Sequence, residues 1–223
     1  KMRKGSVART SAVNADAFLQ GFEPILQDGK DILYIGFSSG LSGTYHAGCI
    51  AAQELREKYP ERDIRCVDTF GASGGFGLLL YMAVQKKREG GTIEECEKVV
   101  LDNRFHLCHW FTVDDLVYLK RGGRIGKITA MAGTALGIKP ILAFDPVSGE
   151  LTSTHKVRGR QAAMKKLVQV AVSNLEPNKR YNIMWAHGGT PEEGARIAEM
   201  LREAAPDFQQ EFSGQIDCTL ASY

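Results

Sequence analysis

The chain has 223 residues, 43% of them hydrophobic and 24% charged, with a net charge of +2. That length supports a sizeable core in one large domain or two small ones, and so small a net charge gives no reason to expect nucleic acid. The longest dense apolar stretch, 78–84, is far short of the ~20 residues a membrane-spanning helix needs, and no basic–apolar–small signal pattern opens the chain.

Residues 1–5 open on no element of their own. Ser11 or Asn14 can cap a first helix that runs to about Leu26 and stops near Gly29. An apolar strand at 32–37 leads into a Gly/Ser-rich loop at 38–43 and a helix at 44–59. The same grammar returns in strand 64–67, loop 68–75 and helix 76–90. Thr92 and Glu95 offer a capping box for a further helix to about Asn103. The domain boundary is expected near Arg104, with a first α/β domain over 1–103 and a second, mixed α/β domain over 104–223.

In the second domain, His106, Cys108 and His109 read as side chains alternating along a strand, since no second cluster completes a zinc site. Strands 139–144 and 150–157 form a hairpin around the turn 145–149, and Pro140 places a strand start or a sheet edge there. The third strand–loop–helix unit is 181–186, 187–189 and a helix to about Ala205. For that helix Thr190 is the N-cap, Pro191 sits at N1, Glu193 completes a capping box and Pro206 follows the end. Residues 216–223 read as a strand cut off without its loop. Cys49, Cys66, Cys96, Cys108 and Cys218 are odd in number, scattered and free of CxxC, as expected for reduced thiols of a cytoplasmic protein.

The loop after the first strand carries the most chemistry. Gly36-Phe37-Ser38-Ser39-Gly40 matches G-x-S-x-G, the nucleophile elbow of α/β-hydrolases, in the right strand–helix context. Against it, Leu41-Ser42-Gly43 prolongs the loop, and no HGGG-type segment precedes the serine. Asp145 with His155 or His187 has the right chain order but no recognisable triad context. A second reading is an anion seat of hydroxyls and N–H groups at a helix start; a third is a purely structural turn. The run 120–127 fails as a P-loop because Ile128 stands where a Mg²⁺-binding Ser or Thr belongs. Thr10-Ser11 by itself is a capping site.

Together these segments carry a family resemblance. Residues 38–45, Ser-Ser-Gly-Leu-Ser-Gly-Thr-Tyr, are similar to the S-S-x-L-S-G-T-Y signature of the DegV family of bacterial fatty-acid-binding proteins. Thr10-Ser11 resembles the start of its T-S-Q-P element, with Ala12-Val13 in place of Q-P. Asp115-Leu116, Tyr118-Leu119 and Gly122-Gly123-Arg124-Ile125 match its D-L-x-x-L-x-x-G-G-R-I segment. Ile138-Lys139-Pro140-Ile141, Lys156-Val157-Arg158 and the His187 unit follow in order. The family's N-terminal T-D-S strand and C-terminal H-x-G-P-G segment have no counterpart here, so the chain reads as truncated at both ends.

The resemblance implies a two-domain DegV-like α/β fold, with a three-layer α/β first domain and a mixed-sheet α+β second domain. It further implies a non-enzymatic carrier that buries the acyl chain of a long-chain fatty acid between its domains, without catalytic residue, metal or cofactor. Thr10, Ser11, Ser38 and Ser39 are the expected carboxylate contacts, Thr10 and Ser39 foremost. In some members a separate fatty-acid kinase subunit phosphorylates the bound acid; Arg124 and Arg158 would then hold the acyl phosphate or the docking face. No stable membrane insertion is expected. The alternative is a serine hydrolase with Ser38 as nucleophile.

Overall fold

The structure, a computed structural model, describes residues 10–125, 137–176, 182–206 and 210–215. The opening stretch 1–5, Gly126, Lys127, Ile128, Tyr181 and the strand expected at 216–223, with Cys218, lie outside the described residues. The chain forms two compact units. One comprises 11–107 together with the turn 145–150; the other comprises Thr10 and the described residues of 108–144 and from 151 on. The units divide after Leu107, and they differ from an expected split into 1–103 and 104–223 in that Thr10 groups with the second unit and 145–150 with the first.

The first unit runs α1 (Ala15–Gln27), β1 (Ile32–Gly36), α2 (Thr44–Lys58), β2 (Ile64–Asp68), α3 (Ser73–Arg88) and α4 (Ile93–Asn103). β1 and β2 pair in parallel, Ile32 opposite Ile64 and Gly36 opposite Asp68. Alternation along the strands sends side chains to both faces. Ile32, Tyr34, Ile64 and Cys66 pack with Leu26, Ala52 and Leu55 of α1 and α2. Leu33, Ile35 and Val67 pack with Leu79, Ala83 and Val100 of α3 and α4. Helices on both faces give the three layers and account for the apolar run of β1, while in β2 Arg65 is accommodated by pairing with Glu97 of α4 at 2.7 Å.

Caps explain where several helices begin. Asn14, not Ser11, caps α1: its Oδ1 accepts from the Ala17 N–H at 3.0 Å. The Thr92 box forms as expected, the Glu95 N–H donating to Thr92 Oγ1 at 3.2 Å and the Thr92 N–H to Glu95 Oε2 at 2.8 Å. α3 begins at Ser73, ahead of the expected Phe76; Phe70 in the loop before it and Ser73 at its first position both hold positive φ.

The second unit contains β3 (Trp110–Thr112), α5 (Val117–Arg121), β4 (Ile138–Phe144), β5 (Leu151–Arg158), α6 (Arg160–Val172), β6 (Asn182–His187), α7 (Pro191–Ala204) and β7 (Gln210–Gln215). β3, β4 and β5 form an antiparallel sheet in that order, with a bulge at Ile141/Leu142 that leaves both residues fully buried. β6 and β7 pair in parallel around the α7 crossover.

Three expectations here need correction. Pro140 neither starts a strand nor sits on an edge strand; it is the third residue of the central strand. It is tolerated because β3 pairs only with Ile141 to Ala143, so no ladder bond from position 140 is lost on that side; the Pro140 carbonyl instead accepts the Thr112 hydroxyl at 2.7 Å. Residues 106–109 are not a strand, which begins only at Trp110. Thr190 makes no side-chain cap, and Glu193 instead accepts from Arg160 Nε at 2.9 Å and Nη2 at 2.7 Å. A fork of parallel charge-assisted bonds outcompetes a capping bond to one backbone N–H. It also holds the Glu193 carboxyl below the usual carboxylate range.

Candidate functional site

Because Gly36 lies opposite Asp68, the loops after β1 and β2 leave the sheet side by side at the carboxyl ends of parallel strands, where α/β proteins place ligands. Close contacts set this end of the unit. A Cβ on Gly36 would run into the Tyr45 ring, and one on Gly48 into the Tyr34 ring. Glycine at both positions therefore lets the first turns of α2 lie directly on β1. Buried Thr69 ties the loops together: its Oγ1 donates to the Gly36 carbonyl at 2.8 Å.

The rings and thiols beneath the loop are packing groups. Burial above all, then neighbouring Cys49, pushes the Cys66 thiol up to about 12. Burial likewise pushes the Tyr34 phenol up to about 12 and raises Tyr45. All three stay protonated at neutral pH, which suits a core and not a nucleophile.

Ser38 is fully buried, and each of its polar groups is engaged. Its N–H donates to the Gly71 carbonyl at 2.9 Å, its hydroxyl to the Gly149 carbonyl at 2.7 Å, and its carbonyl accepts from Leu41 and Ser42. The Gly149 partner belongs to the turn 145–150, which Asp145 shapes by accepting from the Val147 and Ser148 N–H groups, each at 2.9 Å. Gly149 has φ +68°, and a Cβ there would overlap Ser38 Oγ and the Phe70 ring; a Cβ on Gly40 would meet the backbone of residues 148–150.

These bonds bear on the nucleophile reading. A nucleophilic serine needs its proton directed at a base. The Ser38 proton goes to a backbone carbonyl, Asp145 is occupied in its turn, and His155 lies against the Thr154 hydroxyl at 3.1 Å. Among the described residues no triad assembles at Ser38.

Ser39 differs from its neighbour. Its N–H is held by both carboxylate oxygens of buried Asp68, each at 3.3 Å, while Asp68 Oδ1 also accepts from the Phe70 N–H at 2.9 Å. Its half-buried hydroxyl has no hydrogen-bond partner among the described residues. The Ser42 and Thr44 hydroxyls are bonded to each other at 2.9 Å, and Thr44 Oγ1 also accepts from the Val13 N–H at 3.4 Å. Arg104 braces the second loop, donating to the Asp68 carbonyl at 2.9 Å with its guanidinium over the Phe70 and Phe105 rings. In the loop between β1 and α2, the Ser39 hydroxyl, unlike that of Ser38, is therefore left able to donate to a ligand.

The other predicted residues are more dispersed. Thr10 is half-buried and groups with the second unit; Ser11 is exposed and groups with the first; neither makes a hydrogen bond among the described residues. Arg124, half-buried after α5, donates through Nη1 to the Gly122 carbonyl. Arg158 closes β5 and is exposed. Burial lowers the His109 imidazole to about 4, and its ring stacks on Phe144 at 4.4 Å. Among the described residues no three His, Cys, Asp or Glu side chains gather as a metal site, and no helix is long and apolar enough to cross a membrane.

Sequence reasoning assigned no role to Asp68 or Gly149. For Asp68 a signal exists in its position at the end of a strand whose partner ends in Gly36. For Gly149 there was none, because a Ser-Gly pair in a hairpin turn looks alike whether it faces solvent or a buried serine.

Comparison with known proteins agrees with this architecture. A family model described as "Uncharacterised protein, DegV family" matches residues 1–223. A DegV domain-containing protein of Clostridium perfringens is 44% identical over 206 residues, covering 92% of this chain and 70% of that protein. A solved DegV family protein from Thermus thermophilus, described by its fatty-acid binding, superposes with a TM-score of 0.86 at 26% identity, covering 99% of this chain and 77% of that one. A Thermotoga maritima protein whose structure is described as revealing fatty-acid binding gives a TM-score of 0.80 at 25% identity, covering 98% and 74%. With a match along its whole length, a close relative and the same two-domain fold, this chain belongs to the DegV family.

Proposed function

We propose that this chain is a cytoplasmic, non-enzymatic carrier of a long-chain fatty acid, whose carboxylate accepts a hydrogen bond from the Ser39 hydroxyl. The observation that carries this reading is that hydroxyl: without a hydrogen-bond partner among the described residues, on a backbone pinned from several sides, at the carboxyl end of a parallel strand pair. Solved relatives described as binding fatty acids support the ligand class. The family pattern adds a second carboxylate contact at Thr10, with Ser11 and Ser38 flanking the two. Ser38 contributes through the loop's shape, since its own proton is spent on Gly149.

The energetics suit binding without chemistry. Each buried methylene contributes ~0.8 kcal/mol, so a long acyl chain supplies on the order of 10 kcal/mol gross. A hydrogen bond to a charged group adds roughly 1.5–3 kcal/mol. The tail sets affinity and the head group sets selectivity. The proposal extends to presentation of the bound acid to a fatty-acid kinase, for which the support is the family resemblance together with the exposed Arg158.

Mass spectrometry of an organic extract of the purified protein tests the ligand class. A long-chain fatty acid in near-stoichiometric amount is the expected result; an extract free of lipid, from protein that also takes up none when offered it, contradicts the proposal.

A further inference from the structure

We propose that Asp68 is a positioning residue for the head-group contact: an internal carboxylate that fixes the Ser39 peptide, so that the hydroxyl and not the N–H faces the ligand. This rests on the fatty-acid reading above and adds a residue to it. Asp68 is only 6% exposed, and both its oxygens point at the loop, holding the Ser39 N–H at 3.3 Å while Oδ1 takes the Phe70 N–H at 2.9 Å. A buried carboxylate so placed satisfies backbone donors that burial would otherwise leave unpaired.

Two further anchors complete the arrangement. The Ser38 N–H and hydroxyl are held by the Gly71 and Gly149 carbonyls, so the peptide entering Ser39 is gripped on one side by these and on the other by Asp68. What remains is rotation of the Ser39 side chain. A donor held this way loses little freedom on binding, which is where preorganised sites gain affinity. The Asp68 end of β2 is itself braced by Arg104, whose guanidinium bonds the Asp68 carbonyl and leaves the carboxylate to the loop.

The test compares a fatty acid with the alcohol of the same chain length on the purified protein. Asp68→Ala is expected to lower affinity for the acid about tenfold or more while moving the alcohol less than about threefold. Asp68→Asn keeps an acceptor for the two N–H groups and is expected to recover most of the selectivity. A merely structural role would instead lower both affinities together and would not separate Asn from Ala. Either that parallel loss, or full selectivity retained in Asp68→Ala, overturns the inference. Equal binding of acid and alcohol by the unmodified protein removes the fatty-acid reading itself, so the two failures are distinguishable. Should Asp68→Ala fail to fold, amide hydrogen exchange on the unmodified protein decides. Slow exchange at Ser39 and Phe70 without lipid is expected; a Ser39 amide that exchanges freely until lipid is added overturns the inference, because the ligand would then be fixing the loop.

Discussion

Gly149→Ala is expected to destabilise the first unit by about 2–5 kcal/mol and to impair lipid binding, although the substitution adds one carbon atom in a turn. Two costs combine. The residue has φ +68°, where an L side chain loses roughly 1–2 kcal/mol. The new Cβ would also overlap Ser38 Oγ and approach the Phe70 ring at 2.8 Å, so the buried Ser38 hydroxyl must surrender its bond to the Gly149 carbonyl. A buried hydroxyl left unpaired costs roughly 1–3 kcal/mol. Gly90→Ala is the control: φ is +87°, but a Cβ there meets nothing within 4 Å, so only the backbone cost of roughly 1–2 kcal/mol applies. Thermal unfolding of the two variants side by side checks the account. If Gly149→Ala were no worse than Gly90→Ala, the contact between the turn and Ser38 would not be holding the loop.

Ser39→Ala has the opposite signature, a large change in ligand selectivity with little change in stability. The hydroxyl has no partner among the described residues, so its removal breaks no internal bond. It removes a donor to a carboxylate, worth roughly 1.5–3 kcal/mol, or about 10- to 150-fold in affinity for the acid. The corresponding alcohol gains little from that donor and is expected to change less than about threefold. Titration of both lipids into wild type and variant measures the difference. Equal losses for the two would show that Ser39 shapes the loop without meeting the head group.

The parts of the fold legible in the sequence were those governed by neighbours in the chain. The apolar run at 32–36 followed by Ser, Gly and Thr identified β1, its loop and α2; Thr92 and Glu95 identified the start of α4, because a capping box closes within four residues. Thr190 and Glu193 show the same pattern, yet there Arg160, far away in the chain, claims the glutamate. Local chemistry proposes a bond, and tertiary packing decides whether it forms. α6 passed unread because it begins after Gly159 with no capping side chain, and α5 because it spans only Val117–Arg121.

The site divides the same way. That the loop after β1 was important could be read from its glycines and hydroxyls at a strand–helix junction. Which serine faces outward could not, since Ser38 and Ser39 are chemically identical and adjacent. Gly149, 111 residues away in the chain, draws the Ser38 hydroxyl inward, and Asp68 holds the Ser39 backbone. The G-x-S-x-G spacing therefore pointed at the serine that is buried, whereas the candidate contact is the next residue.

The most direct test of the central claim is a parallel titration of the purified, lipid-stripped protein with a long-chain fatty acid and with the alcohol of the same length. Because the tails are identical, any difference reports the head group alone. The account predicts that the acid binds at least about tenfold more tightly. Equal affinity would contradict a carboxylate seat at Ser39.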